Sequence, residues 1–391
     1  MPILAPAALA LAIACGQVVP HDFSQDGSSS SNSPAGRQTP PSATDQKSAE
    51  KTDANTPLQI LPPPIALARV YEYVTSTIPD EAARLETERR VRTFWESYLS
   101  DYQAVQLKEF AEAQAVFGQL DEKPPPTIEK LRGKYATALA AGDRLDQTFL
   151  RMLKELVPAD AGPAIEALQR QRARSIAACG LAPHLAMSVP MKLNDPMAWL
   201  NAAEGPVPAA AHHAYDLTVT GIATSLAPAR RRFEFDMVLS AKSREQFAKI
   251  LPAKAKELVA ASKDTATATI AAVDALGSSV PPEDLARVHI ARIESLYFDT
   301  PRPERRVGSE EYPSDVALRD AWFAERAKLA IADAEILKRY EQIALATMAA
   351  APLWDTQAYN ARQLLAKSFA EERTKLHDET RARLAVLNLK Q

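Results

Sequence analysis

The chain is poor in cysteine, with only Cys15 and Cys179 among 391 residues. Two cysteines cannot build a disulfide framework, so stability must come from a packed core, and a chain of this length can form one. Glycine is scarce, at 12 residues. Tight turns and phosphate-cradling loops rely on glycine, so its scarcity disfavours turn-rich β folds and nucleotide-binding loops and favours helices. A surplus of one charge sign is also lacking: 46 Lys and Arg face 49 Asp and Glu, a net charge of −3. No basic field exists to recruit nucleic acid, and no nucleic-acid partner is expected. Apolar runs of the roughly twenty residues needed to span a bilayer are missing. Ile3–Ala14 is too short, and Ile343–Trp354 is short and interrupted by Pro352.

Catalytic signatures are missing as well. There is no Cys-x-x-Cys, His-Glu-x-x-His, Gly-x-Ser-x-Gly, phosphate loop or dinucleotide fingerprint. Carboxylate di-metal bundles place Glu three residues before His on a core-facing helix. The residues three before the six histidines are Val18, Leu181, Ala209, Ala210, Ala286 and Thr374. A ferritin-like oxidase is therefore disfavoured.

The N-terminus carries the strongest positive signal. The apolar run Ile3–Ala14 ends at Ala14-Cys15-Gly16. Ala12-Ile13-Ala14-Cys15 resembles the lipobox of bacterial lipoproteins, with a small residue directly before the cysteine. It departs from that pattern in having Ala12 where Leu is usual, and no basic residue precedes the run. The resemblance implies a signal peptide over 1–14, lipidation of Cys15, a membrane contact through that lipid, and residence in the cell envelope. Lipidation would also leave Cys179 without an intramolecular partner. His21–Pro57 is rich in Ser, Pro, Thr, Asp and Lys, including the run Ser28–Ser31. Such a segment buries too little apolar area to offset its ordering entropy, so 15–58 is expected to be a disordered tether. Its root-mean-square span as a coil would be roughly 35 Å.

From Ile65 onward the apolar period is helical. Val91, Trp95, Tyr98, Tyr102 and Val105 recur at steps of three and four. The spacing predicts helices over 79–122, 127–156, 160–179, 209–240, 244–276, 283–298, 312–350 and 356–389. Most of the 29 prolines fall in the tether or between these segments. Pro228 lies inside one of them and predicts a kink. Asp80 and Glu81 suit the first turn of the first long helix, and Gly180 is placed to cap the third. No alternating β-branched run appears. The fold class is therefore all-α, an elongated array of long amphipathic helices and helical hairpins. Helical subdomains over 59–180 and 209–391 are expected, joined by an irregular Pro/Met-rich connector over 181–208. The stretch from Leu139 to Val157-Pro158 echoes that from Val259 to Val280-Pro281. A long helix leading through Asp146-Gln147-Thr148-Phe149 to a Val-Pro turn and an Arg-rich helix is slightly similar to Spy-like helical envelope chaperones. Their Leu-Thr-x-x-Gln motif is absent, and no functional residue carries across.

Four constellations could carry chemistry. His212, His213 and Asp216 form the best metal-like cluster, although only His212 and Asp216 share a helix face and zinc needs three or four ligands. His184, Met187, Met191 and Met197 suit reduced copper, but Met is also a gap-filler in apolar packing. The apolar connector with Trp199 could meet a partner. Arg230-Arg231-Arg232, and Arg302 with Arg305 and Arg306, could touch an anionic headgroup or form solvated faces. Trp95, Tyr98 and Tyr102 read as core, and Cys179 as a buried small hydrophobe. No catalytic, cofactor-binding or metal residue is assigned, and no cofactor is expected; Cys15 is the one assigned site. The sequence favours a non-enzymatic, lipid-anchored envelope protein acting as a scaffold, binding or chaperone-like component. A metal- or small-ligand-binding protein and an enzyme with an unrecognised site are the alternatives.

Overall fold

The structure is a computed structural model that describes residues 62–118, 128–179, 191, 195–240, 244–297, 299–307, 312–348 and 356–389. The regular structure of the described residues is helical, without strands. The α-helices are α1 (Leu67–Tyr73), α2 (Glu81–Gly118), α3 (Ile128–Leu156), α4 (Gly162–Ala178), α5 (Ala209–Ser240), α6 (Arg244–Asp274), α7 (Pro282–Leu296), α8 (Val316–Ala346) and α9 (Thr356–Asn388). The expected signal peptide, Cys15, the tether and Gly180 lie outside the described residues.

Polar caps and first-turn prolines mark several helix starts. Asp80 precedes α2 and accepts from the Ala83 amide at 2.7 Å, so it caps the helix from outside its first turn. Asp315 accepts from the Leu318 amide, which starts α8 four residues later than the apolar period suggests. Pro163 and Pro282 stand in the first turns of α4 and α7, where a missing N–H costs nothing. Pro228 lies within α5, which continues through it as one helix.

Consecutive long helices pack against one another, α2 on α3, α5 on α6, α7 on α8 and α8 on α9. Each half has its own apolar cluster. The first joins Val91, Tyr98 and Tyr102 of α2 to Tyr135, Phe149 and Leu153 of α3 and to Ile165 and Leu168 of α4. Tyr98 stacks on Phe149 with ring centroids 4.6 Å apart. The second joins Trp199, Tyr215, Val219, Val273, Ile293, Leu337, Tyr340 and Phe369. Full burial of one such Leu or Phe is worth about 1.5–3 kcal/mol.

The expected connector is not irregular throughout. Pro196–Ala202 forms a 3-10 turn capped by Asp195, and it packs on α7 with Trp199 only 2% exposed. Trp199 is thus core, not a partner surface. The connector's hold on α7 is also polar. Asp284 accepts from the Glu204 and Gly205 amides at 2.9 and 3.0 Å. Gly205 is required for that approach, because a Cβ there would lie 2.8 Å from Asp284 Oδ2.

The two Val-Pro steps share a buried pattern in a register three residues from that of the Leu139 and Val259 echo. Aligning Val157-Pro158 with Val280-Pro281 pairs Leu150 with Val273 and Leu153 with Leu276, all buried. It also pairs Asp146 with Thr269, and each meets a buried arginine of the following helix, Arg172 or Arg292. Arg292 is fully buried and forks onto Glu341, whose carboxylate also accepts from Tyr297 Oη at 3.0 Å. Removing one member of a buried pair strands the other charge, whereas replacing both with apolar groups avoids that cost. Arg292→Met should therefore cost about 3–5 kcal/mol in urea unfolding, and Arg292→Met with Glu341→Leu distinctly less. Equal losses in the single and double variants would contradict this account.

Candidate functional site

The residues singled out by sequence are held mostly by structural partners. Asp216 lies on the inner face of α5, 4% exposed, and accepts from Arg170 Nε at 2.5 Å and from Arg174. His212 and His213 are exposed. The structure therefore commits the carboxylate of the metal-like cluster to two guanidinium groups and leaves the imidazoles at the surface. Met191 is buried in the second apolar cluster and Met197 packs against it, while His184 and Met187 lie outside the described residues. Among the described residues, no group of three or more His, Cys, Asp or Glu is placed to hold a metal ion.

The arginine triplet has a specific role. Arg230 donates to the Ala178 carbonyl at 3.0 Å and pairs with Glu234, and Arg231 donates to the Ile176 carbonyl at 3.0 Å. Those carbonyls belong to the last turn of α4, where helix dipoles concentrate negative charge. Two arginines therefore close α4 from the side, and Cys179 after it adopts extended backbone. Its side chain is half-buried, less enclosed than a core hydrophobe. Arg232 pairs with Glu257 across the α5–α6 hairpin. In the second basic patch, Arg306 pairs with Glu294 at 2.5 Å and Arg302 and Arg305 are exposed.

Tyr98 and Tyr102 of the aromatic stripe are core, as the period implies, while Trp95 is partly buried against them; the stripe also carries polar contacts that hydrophobic patterning cannot show. Trp95 Nε1 donates to the Ile65 carbonyl at 2.7 Å, and Tyr102 Oη to the Pro62 carbonyl at 2.9 Å. Tyr98 Oη donates to Asp146 at 2.6 Å and accepts from the Ile65 amide. Arg172 binds Asp146, the Pro63 carbonyl and Tyr102 Oη together. Burial pushes the Asp146 carboxyl above its usual range, with Arg172 opposing. Burial likewise raises the Tyr102 hydroxyl to about 12.

A third network joins α7, α8 and α9. Arg373, 1% exposed, forks onto Asp333, reaches the Pro301 carbonyl and pairs with Glu294 at 3.0 Å. His377 Nε2 lies 3.3 Å from Asp333 Oδ2. Burial would raise Asp333, but hydrogen bonds from Arg373 and His377 overcome it and hold the carboxyl below its usual range. Nearby, Tyr340 and Arg362 share Asp299. Outside this network, Glu304, Glu371, Thr374, Lys375, Asp378 and Glu379 line a shallow, open surface depression. Spacing is the one hint of such pairing: Arg170 with Arg174, and Arg373 with His377, stand four apart and so share a helix face.

Comparison of the chain with protein-family models, with curated proteins and with solved structures finds no match. The chemistry of the described residues must be read from their own geometry. That geometry ties carboxylates to arginines, and arginines to main-chain carbonyls, across helix interfaces.

One buried group gives stability a defined pH dependence. His289 is 1% exposed, its Nε2 lies 2.9 Å from Asp274 Oδ1, and its Nδ1 has no hydrogen-bond partner. Burial, together with Arg292 and Lys338, lowers its pKa to about 4. The unfolded chain takes up this proton first, near 6.5. The contribution is intact above that value and is lost as pH falls toward 4, by at most about 3 kcal/mol. Chemical denaturation at a series of pH values should show this loss in the parent chain and a shallower slope in His289→Gln. Equal slopes in the two chains would refute the assignment.

Proposed function

We propose that the chain is a lipid-anchored protein of the cell envelope that acts by binding, as a scaffold or chaperone-like component, without catalysing a reaction. Cys15 is the lipid attachment site in this reading, 15–58 is the tether, and the helical body meets a protein partner beyond the membrane surface. The observation that carries the binding role is the use of interior charge. Asp146, Asp216, Asp333 and Glu341 are each engaged by an arginine. Polar chemistry is thereby spent on fixing helices against one another. What the helices turn outward is long and regular, with Leu217 on α5 and Leu364 on α9 among the exposed apolar side chains. Long amphipathic helices offer extended faces for protein partners more readily than enclosed sites for chemistry. No helix among the described residues is long and apolar enough to cross a membrane, so the lipid on Cys15 carries the membrane contact in this proposal.

The anchor is tested by palmitate labelling and membrane fractionation of the full-length chain beside Cys15→Ser. Label and membrane association should both disappear in the variant. Membrane retention of an unlabelled Cys15→Ser chain would overturn the anchor. The binding role is tested by placing a photo-crosslinking residue at Leu217 or Leu364 in intact cells. A discrete adduct of one protein mass supports it, and unadducted chain at both positions counts against it.

A further inference from the structure

The irregular segment 301–307 is held on α9 by side chains that read its main chain. Arg373 donates to the Pro301 carbonyl. The Glu304 amide donates to Thr374 Oγ1 at 3.0 Å, the Val307 amide donates to His377 Nδ1 at 3.1 Å, and Arg381 donates to the Arg306 carbonyl at 3.2 Å. Positions 373, 374, 377 and 381 follow one face of α9 over about two turns. A strap without secondary structure of its own has its polar groups satisfied by a helix surface.

One of these contacts differs in kind from the others. A ring nitrogen that accepts from an amide N–H carries no proton. His377 must therefore be neutral with its hydrogen on Nε2, directed at Asp333 Oδ2 3.3 Å away. Adding a proton places N–H on Nδ1, facing the Val307 N–H, and two donors cannot bond. The same proton converts the Nε2 contact into a charged pair with Asp333, which is stronger than its neutral form. Protonation thus strengthens the core side of the imidazole and removes the strap side.

The charged groups around it permit this exchange. Asp333 of α8 touches the imidazole directly. Glu294 of α7 pairs with both Arg373 and Arg306. On the strap stand Glu304, Arg305 and Arg306, and on α9 itself Arg373, Asp378 and Arg381, the last two paired at 2.6 Å. Asp333 is held below the usual carboxylate range and so is an ionised partner for the ring.

We propose that His377 is an acid-operated latch that holds strap 301–307 on α9 when neutral and releases it when protonated. Release carries Glu304 away from the rim of the acidic depression and uncovers the α9 face around Thr374 and Arg381. The inference is independent of where the protein resides or what it binds.

The test measures two quantities in the full-length protein between about pH 7.5 and about pH 5. One is the protonation state of the His377 ring by nitrogen NMR. The other is amide hydrogen-exchange protection of 302–307, corrected for the intrinsic pH dependence of exchange. The latch predicts that His377 is the neutral Nε2–H form at the upper pH. Strap protection should then fall at least about tenfold as the ring takes up its proton, with α9 amides unchanged. In His377→Gln, strap protection should be independent of pH at whatever level that variant sets. A strap whose protection ignores ring protonation, a ring that stays neutral to the lower pH, or the same pH dependence in His377→Gln would each overturn the proposal.

Discussion

Arg170, Arg172 and Arg174 stand at alternate positions on α4, and each step of two turns a helix by about 200°. Arg170 and Arg174 therefore face one way and Arg172 the other. The first two close on Asp216 of α5, and Arg172 closes on Asp146 of α3. Arg174 also reaches Asp195 before the 3-10 turn, and Arg172 reaches the Pro63 carbonyl in the segment before α1. A helix of 17 residues is thus tied to both halves of the described chain through charged groups. Its C-terminal carbonyls are closed by Arg230 and Arg231 of α5. The packing of α3 against α4 and of α4 against α5 depends on this row, because an unpaired guanidinium in either interface would be strongly unfavourable.

Such pairs do not add stability in simple proportion to their number. Desolvating both charges consumes much of their attraction, and apolar burial supplies the larger driving force. Their effect is on which helix meets which, and in what register. Sliding α4 by one turn against α5 would keep apolar contact but take either Arg170 or Arg174 off Asp216. The same logic recurs where α7 meets α8 through Arg292 and Glu341, and where α8 meets α9 through Arg373 and Asp333. Uniform apolar stripes on Ala-rich helices specify partners poorly, and point charges at fixed depth correct that. Two segments without regular structure are held by a related device. Segment 62–66 is fixed by Trp95, Tyr98, Tyr102 and Arg172, and segment 301–307 by four residues of α9.

The helices were legible because period and punctuation agree. The Val91–Tyr102 stripe, the Val-Pro steps at 157 and 280, and the prolines between segments locate most boundaries within a few residues. The misplaced start of α8 was a capping matter: Asp315 outranks the apolar Tyr312 and Pro313 before it. The 3-10 turn at Pro196–Ala202 was hidden because it is short and carries no period. The ion pairs were not legible, since Arg172 and Asp146 are far apart in sequence and charge on a helix ordinarily means solvent. The same ordinary meaning made Arg230 and Arg231 read as a solvated face or an anion contact, where distance shows a helix cap. Asp216 resembled a metal ligand only while its partners on α4 were unknown.

The binding role proposed for the body rests on this economy of interior charge, so the central claim concerns α4. Native-state hydrogen exchange of the intact chain, resolved residue by residue under low denaturant, tests it most directly. If the arginine row joins the two halves, amides of 165–177 exchange only through the opening that unfolds both neighbours, and they share its free energy and denaturant slope. Exchange of these amides through a small local opening, with α3 and α5 still protected, would contradict the account.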